Sequence, residues 1–271
     1  MISGISGIIL NIEEDHLDYY KDINHIKSAF LKFANLVPND GYVVLNYDDE
    51  NCVELSKQID KNIISFAINN SEATWVAKDI VLNENGYYSF IATNGNENIK
   101  INLNVIGKHH IYNALATIAT AKAYNIDNES IIDGLEEFTG ANRRFEFMCN
   151  YNGARIYNDY AHHPTEIQAT IKAATSLPHN KLKVVFQPHT FSRTITLFDE
   201  FAHAFSDCDE VILADIFAAR EIDTGIVSSK QLTDAINKVS NNCIYIGNKD
   251  DIRHFLEKDL SENDILIFIG A

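Results

Sequence analysis

Several common features are missing from this sequence of 271 residues. No apolar run approaches the about 18 residues a membrane-spanning helix needs, so no such span is predicted. The opening Met1-Ile2-Ser3-Gly4-Ile5-Ser6-Gly7 has no basic stretch before an apolar one and is no secretory signal. Cysteine is scarce. The four residues Cys52, Cys149, Cys208 and Cys243 are far apart and form no CxxC pair, which excludes the common zinc and dithiol motifs and offers no disulfide framework. Reduced thiols in a cytosol are the simplest reading. Positive charge is short as well. Lys and Arg total 22 against 38 Asp and Glu, the net charge is −16 and the pI is near 4.9. This argues against loose binding to nucleic acid or to an anionic membrane. An anionic ligand needs a local cluster of Arg, His or a metal ion. Of six arginines, Arg143, Arg144 and Arg193 fall inside the motifs below. The phosphate-loop pattern GxxxxGK[ST] occurs nowhere, and there is no internal repeat or low-complexity tract.

What is present suits two domains, since 46% hydrophobic residues in a chain of this length can bury real cores. Residues 26–37 place Ile26, Ala29, Phe30, Phe33, Ala34 and Val37 on one helical face. Strands are predicted at Ile8-Ile9-Leu10, Tyr42–Leu45 and Ile63–Phe66, with a helix opening at Asp48-Asp49-Glu50, where acid suits the macrodipole. Strand-like runs at Thr74–Leu82, Tyr87–Thr93 and Ile99–Ile106 are divided by Asn85-Gly86 and Asn94-Gly95, whose residues tolerate positive φ. They predict an antiparallel meander. Helices are expected at 110–124 and 128–137. After Gly140, strands near 144–149, 154–158, 182–187, 210–214, 243–246 and 264–269 alternate with helices near 165–176, 194–206, 228–238 and 249–257. That order predicts a mostly parallel sheet with helices on both faces, and a domain boundary close to residue 140. The strand at the very start, and the strand that stops at Gly270-Ala271 where a turn and helix ordinarily follow, predict a piece of a longer protein.

Five runs carry side chains suited to chemistry. Asn11-Ile12-Glu13-Glu14-Asp15-His16-Leu17-Asp18 follows a strand and offers oxygens and an imidazole to a hard divalent cation, or else is a solvated acidic helix start. Gly107-Lys108-His109-His110-Ile111-Tyr112-Asn113-Ala114 puts basic groups at a helix start, where a phosphate or nucleotide is favoured; the plainer reading is a capped helix with exposed histidines. His109 and Asn113 share a face. Gly140-Ala141-Asn142-Arg143-Arg144-Phe145-Glu146 brings two arginines to the domain junction, as a phosphate clamp or as salt bridges. Asn158-Asp159-Tyr160-Ala161-His162-His163-Pro164-Thr165-Glu166 lies at a strand end and helix start, with Pro164 fit for the first helical position. There Asp159 suits a ribose hydroxyl or the orienting of a histidine. Phe186-Gln187-Pro188-His189-Thr190-Phe191-Ser192-Arg193-Thr194 is a second such junction, as a carboxylate clamp through Arg193 or a helix-cap network.

In their joint order these runs resemble the Mur ligases of peptidoglycan synthesis over nearly the whole chain. The Asp159-to-Glu166 and Gln187-to-Thr194 runs resemble the branch that adds L-alanine. The resemblance implies an α/β fold, with the rear of the family's ATP-binding central domain, including the meander, in residues 1–140. A Rossmann-like C-terminal domain that binds the amino acid, itself truncated, would occupy 141–271. The family's sugar-nucleotide domain and phosphate loop would lie upstream. The implied reaction uses ATP and Mg²⁺ and the small molecules UDP-N-acetylmuramate and L-alanine, in the cytoplasm, with no nucleic-acid or membrane partner. A lactyl carboxylate takes the γ-phosphoryl group, and the alanine amine then displaces phosphate from the acyl phosphate.

Carried over by motif, His16 resembles a metal-binding histidine, and His109 and Asn113 a nucleotide-contacting pair. His110 stands where relatives usually have Asn. Arg144 or its neighbour Arg143 resembles an arginine that reaches the ATP phosphates, and Asp159 an acid near the nucleotide. Tyr160, His162, His189 and Arg193 resemble groups lining the alanine and acyl-phosphate site, the last three as catalytic groups. Thr190 takes a position that is often Arg. The resemblance further implies that His16, His109, Arg144, His162 and Arg193 converge on an interdomain cleft, and that the 271 residues alone are inactive. Three alternatives stand beside it: the ligase that attaches a recycled tripeptide to the same sugar nucleotide, the more distantly related folylpolyglutamate synthase, and a non-catalytic nucleotide-binding module.

Overall fold

A computed structural model describes residues 5–17, 19–84 and 86–270. Asp18 of the acidic run, Asn85 of the first Asn-Gly pair and the terminal Ala271 lie outside them. The chain divides into two compact units, Met1–Thr139 and Gly140–Ala271.

In the first unit β1 (Ser6–Ile9), α1 (Ile23–Asn35), β2 (Tyr42–Asn46), α2 (Glu50–Ser56), β3 (Asn62–Ala67), β4 (Trp75–Leu82), β5 (Tyr87–Thr93), β6 (Asn98–Ile106), α3 (His109–Ala123) and α4 (Asn128–Glu137) follow one another. The strands form one sheet in the order β1-β2-β3-β4-β5-β6. Pairing is parallel from β1 to β4 and antiparallel from β4 to β6. Interior strand β2 is covered on both sides and reads as a continuous apolar run. Its Val43 and Leu45 pack under α1 and α2 with Ile26, Ala34, Cys52 and Leu55. Its Val44 joins Phe66, Phe90 and Ile101 beneath Ile111, Leu115 and Ile118 of α3. Edge strand β6 has one wet face, so burial alternates along it. The meander is present, but its second turn differs from the expected two-residue form. Residues 94–97 make a longer loop in which Gly95 takes a positive φ of 86° and Asn94 Oδ1 accepts the N–H groups of Asn96 and Glu97.

The second unit contains β7 (Glu146–Tyr151), β8 (Ala154–Asp159), α5 (Pro164–Thr175), β9 (Leu182–Phe186), α6 (Phe191–Thr196), α7 (Phe198–His203), β10 (Glu210–Ala214), α8 (Ser229–Val239), β11 (Cys243–Gly247), α9 (Lys249–Asp259) and β12 (Ile265–Ile269). Its sheet runs β11-β10-β9-β12-β8-β7. All neighbours are parallel except β7, which is antiparallel to β8. The two residues between β7 and β8, Asn152 (φ 51°) and Gly153 (φ 79°), make the tight turn that Asn-Gly favours. Where one helix was expected over 194–206 there are two, broken at Leu197 (φ −107°, ψ 28°). The β-branched run Thr194-Ile195-Thr196 holds a helix weakly, which suits a break there. Helix α9 packs on one face through Ile252 and Leu256. Phe201 and Phe205 meet Phe186 on the other.

The last strand inserts between β8 and β9, after the chain has run outward through β9, β10 and β11. In open α/β sheets ligands bind beyond the carboxyl ends of the strands. Here Asp159, Ile269 and Phe186 are level with one another. Gly270 N–H donates to Asp159 O at 3.1 Å and Gln187 N–H to Ile269 O at 3.1 Å. A Cβ on Gly270 (φ 150°) would lie 3.0 Å from Gln187 O, so glycine permits this closure.

Candidate functional site

The loops after β8 and β9 meet at that carboxyl edge. The β8 loop is fixed from below by Asp159, which is 5% exposed. Its Oδ1 accepts the N–H of Ala161 at 2.7 Å, and its Oδ2 accepts the N–H of Phe145 at 2.9 Å and the hydroxyl of Thr170 at 3.1 Å. Burial raises its pKa; the hydrogen bonds from Ala161, Phe145 and Thr170 and the charge of Arg144 pull the other way without cancelling it. Its carboxylate thus binds the loop to β7 and α5. Next comes a capping box. His163 Nδ1 accepts the N–H of Thr165 at the start of α5, Pro164 takes the first helical position, and Glu166 Oε2 accepts the N–H groups of His162 (3.0 Å) and His163 (3.3 Å). Burial raises the Glu166 pKa, but those N–H groups and the charges of His162 and Arg144 outweigh it and hold the acid below its ordinary value.

Arg143 and Arg144 sit at the same loop. Tyr160 N–H donates to Arg143 O at 2.7 Å, the Arg143 guanidinium lies 4.4 Å above the Tyr160 ring and that of Arg144 5.9 Å from it. Arg144 Nη1 also donates to Glu166 Oε1 at 3.2 Å. Arg143 (φ 58°) and Phe145 (φ 47°) both hold left-handed backbone, which turns the two arginines back over the β8 loop.

The catalytic candidates converge here. His162 stands edge-on to Tyr160 at 5.6 Å, and its ring centre is 6.4 Å from that of His189, which arrives from β9. His162 Nδ1 lies 3.0 Å from the Tyr160 carbonyl. A carbonyl only accepts, so Nδ1 carries hydrogen and the neutral ring presents its Nε2 lone pair. Arg193 Nη1 lies 3.3 Å from His189 Nδ1. Guanidinium only donates, so His189 is neutral there with its hydrogen on Nε2. Burial lowers its pKa first, then the charges of Arg193 and His162. Sequence reading missed Glu221, which reaches this edge from the segment after β10 and accepts the Ser192 N–H at 2.9 Å.

The first unit holds the remaining candidates. His109 opens α3 on the exposed side, with the ring of His110 4.2 Å away and Asn113 Nδ2 3.4 Å from His110 Nδ1. Asp48, also missed, ties this helix to the sheet. It accepts the N–H groups of Ile68, Asn69 and Asn70 and the hydroxyl of Tyr112. His16 (φ 52°) has a 64% exposed side chain and lies 3.6 Å from Asp15. Among the described residues no three His, Cys, Asp or Glu side chains converge as a metal cage. His16 by itself would supply at most one ligand to Mg²⁺, which usually takes its other ligands from carboxylates, phosphates and water.

A cavity of about 650 Å³ lies elsewhere, on the α9 face of the second sheet, floored by Ile156, Val185, Leu266 and Phe268. It shares Arg143 and Gln187 with the edge, while Tyr160, His162, His189 and Arg193 do not line it.

Comparisons with known proteins agree with this layout. The Mur ligase middle domain matches residues 2–121, and the Mur ligase glutamate ligase domain matches residues 143–271. The UDP-N-acetylmuramate–L-alanine ligase of Clostridium novyi (strain NT) is 52% identical over 98% of this chain and 57% of its own length. That of Clostridium acetobutylicum is 48% identical over 98% of this chain and 58% of its own. The crystal structure of UDP-N-acetylmuramate-alanine ligase from Thermotoga maritima has a TM-score of 0.78 at 26% identity, covering 99% of this chain and 56% of that one. The chain therefore spans rather more than half the length of the relatives it matches.

Proposed function

From a chain that belongs to the Mur ligase family, we propose the nucleotide-binding and amino-acid-binding parts of a cytosolic ATP-dependent ligase that joins L-alanine to UDP-N-acetylmuramate. The observation that carries this reading is the meeting of His162, His189 and Arg193 at one carboxyl edge, from loops after two different strands. An amino acid needs three things there. Its carboxylate needs a planar cation, which Arg193 supplies. Its ammonium must lose a proton before it can attack, and His162 Nε2 is the lone pair placed to take it. The negative oxygen of the tetrahedral intermediate needs a donor, and the His189 Nε2 hydrogen is one.

The lactyl carboxylate of the sugar nucleotide first attacks the γ-phosphorus, giving an acyl phosphate and ADP. The alanine nitrogen then bonds to the acyl carbon, the carbon–oxygen bond to phosphate breaks, and phosphate leaves with the electron pair. Within the first unit, His109 and Asn113 offer contacts for a nucleotide base or ribose. Within the second, Arg143 and Arg144 offer positive charge to a phosphate. Asp159 fixes the loop between them and Tyr160. Mg²⁺, with His16 as one ligand, would neutralise phosphate charge when bound. The 271 residues contain no GxxxxGK[ST] loop to cradle the β- and γ-phosphates, so the chain by itself is expected to turn over nothing.

The test offers the complete gene product ATP, Mg²⁺ and UDP-N-acetylmuramate with either L-alanine or the recycled tripeptide. Alanine-dependent ADP formation is expected. Preference for the tripeptide, or nucleotide binding with no transfer, contradicts the reading. Turnover by the 271-residue chain alone would contradict its expected inactivity.

A further inference from the structure

We propose that Glu221 is a positioning residue for the Arg193–His189 pair, and that residues 215–221 form a third wall of the amino-acid site. This rests on the functional reading above. The segment after β10 docks first by backbone. His189 and Phe217 form a parallel bridge, Phe217 N–H donates to Pro188 O at 2.8 Å, and Thr190 N–H donates to Phe217 O at 2.9 Å. The ring of Phe217 lies 5.6 Å from that of His189. Glu221 then closes the contact. Its Oε2 accepts the Ser192 N–H at 2.9 Å and its Oε1 accepts the Ser192 hydroxyl. Burial raises the pKa of Glu221, but these bonds outweigh it, so the group is ionised at neutral pH.

An ordinary helix cap does not need this carboxylate. The N-cap of α6 is Thr190, whose hydroxyl already accepts the Arg193 N–H. Glu221 is a second acceptor, 29 residues beyond the Ser192 it holds. What it adds concerns Thr190 itself, which has φ 68° and ψ 145°. A β-branched side chain in that region is strained and persists only where its surroundings over-determine it. Phe217 O and Glu221 are those surroundings. The strained residue sits directly after His189 and three before Arg193, and it turns the two side chains onto each other at 3.3 Å. Without the carboxylate, the two Ser192 donors turn to water, Thr190 relaxes and the pair separates.

A double-mutant cycle on the 271-residue chain reads this directly, with the His189 imidazole followed by NMR as pH is varied. Arg193→Gln is expected to raise the His189 midpoint in the wild-type background, because a nearby cation is lost. In a Glu221→Gln background it is expected to raise it little, because Arg193 has already moved away. The same rise in both backgrounds overturns the proposal. Ser192→Ala, which deletes a hydroxyl but no charge, gives a milder version should Glu221→Gln unfold. On the complete gene product, Glu221→Gln is expected to raise KM for L-alanine about tenfold, the scale of one lost charge-assisted hydrogen bond. KM for ATP is expected to stay put, and Glu221→Asp to recover most of the loss. Equal losses for both substrates overturn the positioning role. If the wild-type product transfers no alanine, the functional reading fails and the His189 cycle alone decides the role of Glu221.

Discussion

The Tyr112 hydroxyl donates to Asp48 Oδ2 at 2.9 Å across 64 residues of sequence. The same carboxylate accepts the N–H groups of Ile68 (2.7 Å), Asn69 (2.9 Å) and Asn70 (2.8 Å), which follow β3. One side chain at the carboxyl end of β2 thus fixes the loop after β3 and the helix that carries His109 and Asn113.

Asp48→Asn is expected to cost about 2 kcal/mol at neutral pH, because several donors lose a charged acceptor. Tyr112→Phe should cost about 1 kcal/mol. The sign of the pH dependence follows from the depressed pKa. Burial raises it, and the N–H groups of Asn69, Ile68 and Asn70 and the Tyr112 hydroxyl outweigh that and hold it below 3.8. The stabilisation is therefore full above about 3.8 and is lost as pH falls through the lower folded value. Urea unfolding of wild type and Asp48→Asn should differ at pH 7 and converge in strong acid. A penalty that is the same in acid would count against the charged knot.

His110 should titrate with a midpoint of about 4, lowered first by burial and then by the charge of His109. The folded state prefers the neutral ring, so its contribution is full above the ordinary value near 6.5 and is lost as pH falls through about 4. NMR titration checks this. His109→Ala should raise the midpoint, and a wild-type midpoint near 6.5 would contradict the half-buried placement beside Phe138.

Lys183 is 1% exposed at the amino-terminal end of β9, away from the site. It pairs with Asp259 and with Glu210 at 3.3 Å, and Asp264 beside it is also buried. Burial lowers its pKa, but the bond to Asp259 and the charges of Glu210 and Asp259 raise it above the ordinary lysine value. Lys183→Met should cost about 3 kcal/mol, because buried acid loses its cation. KM values should not change, since the proposed substrate edge is at the opposite end of the strands. Thermal denaturation and steady-state kinetics on the same variant separate the two effects.

Long-period signals were legible in the sequence. The apolar alternation of β6, the continuous run of β2 and the strand–helix succession after Gly140 are local patterns, and each element formed close to its expected place. The break at Leu197 was not legible, because helical periodicity continues through it while β-branched residues weaken the turn. The antiparallel direction of β7 had a signal, Asn152-Gly153, that strand spacing alone does not convey. At the site, motifs pointed to His162, His189 and Arg193, and the structure brings the three together. Asp48 and Glu221 were missed for a shared reason: each acts on backbone donors more than 15 residues away, which no short motif records. Asp159 was legible as important, but its burial under three donors was not.

The most direct test of the account is the alanine KM of the complete gene product with and without the Arg193 guanidinium. Removing the partner of a bound carboxylate should cost about 3 kcal/mol, or roughly 100-fold in KM for L-alanine, with KM for ATP nearly unchanged. An Arg193→Ala enzyme that keeps the wild-type KM for alanine would show that the carboxylate is held elsewhere, and would contradict the assignment of this edge as the amino-acid site.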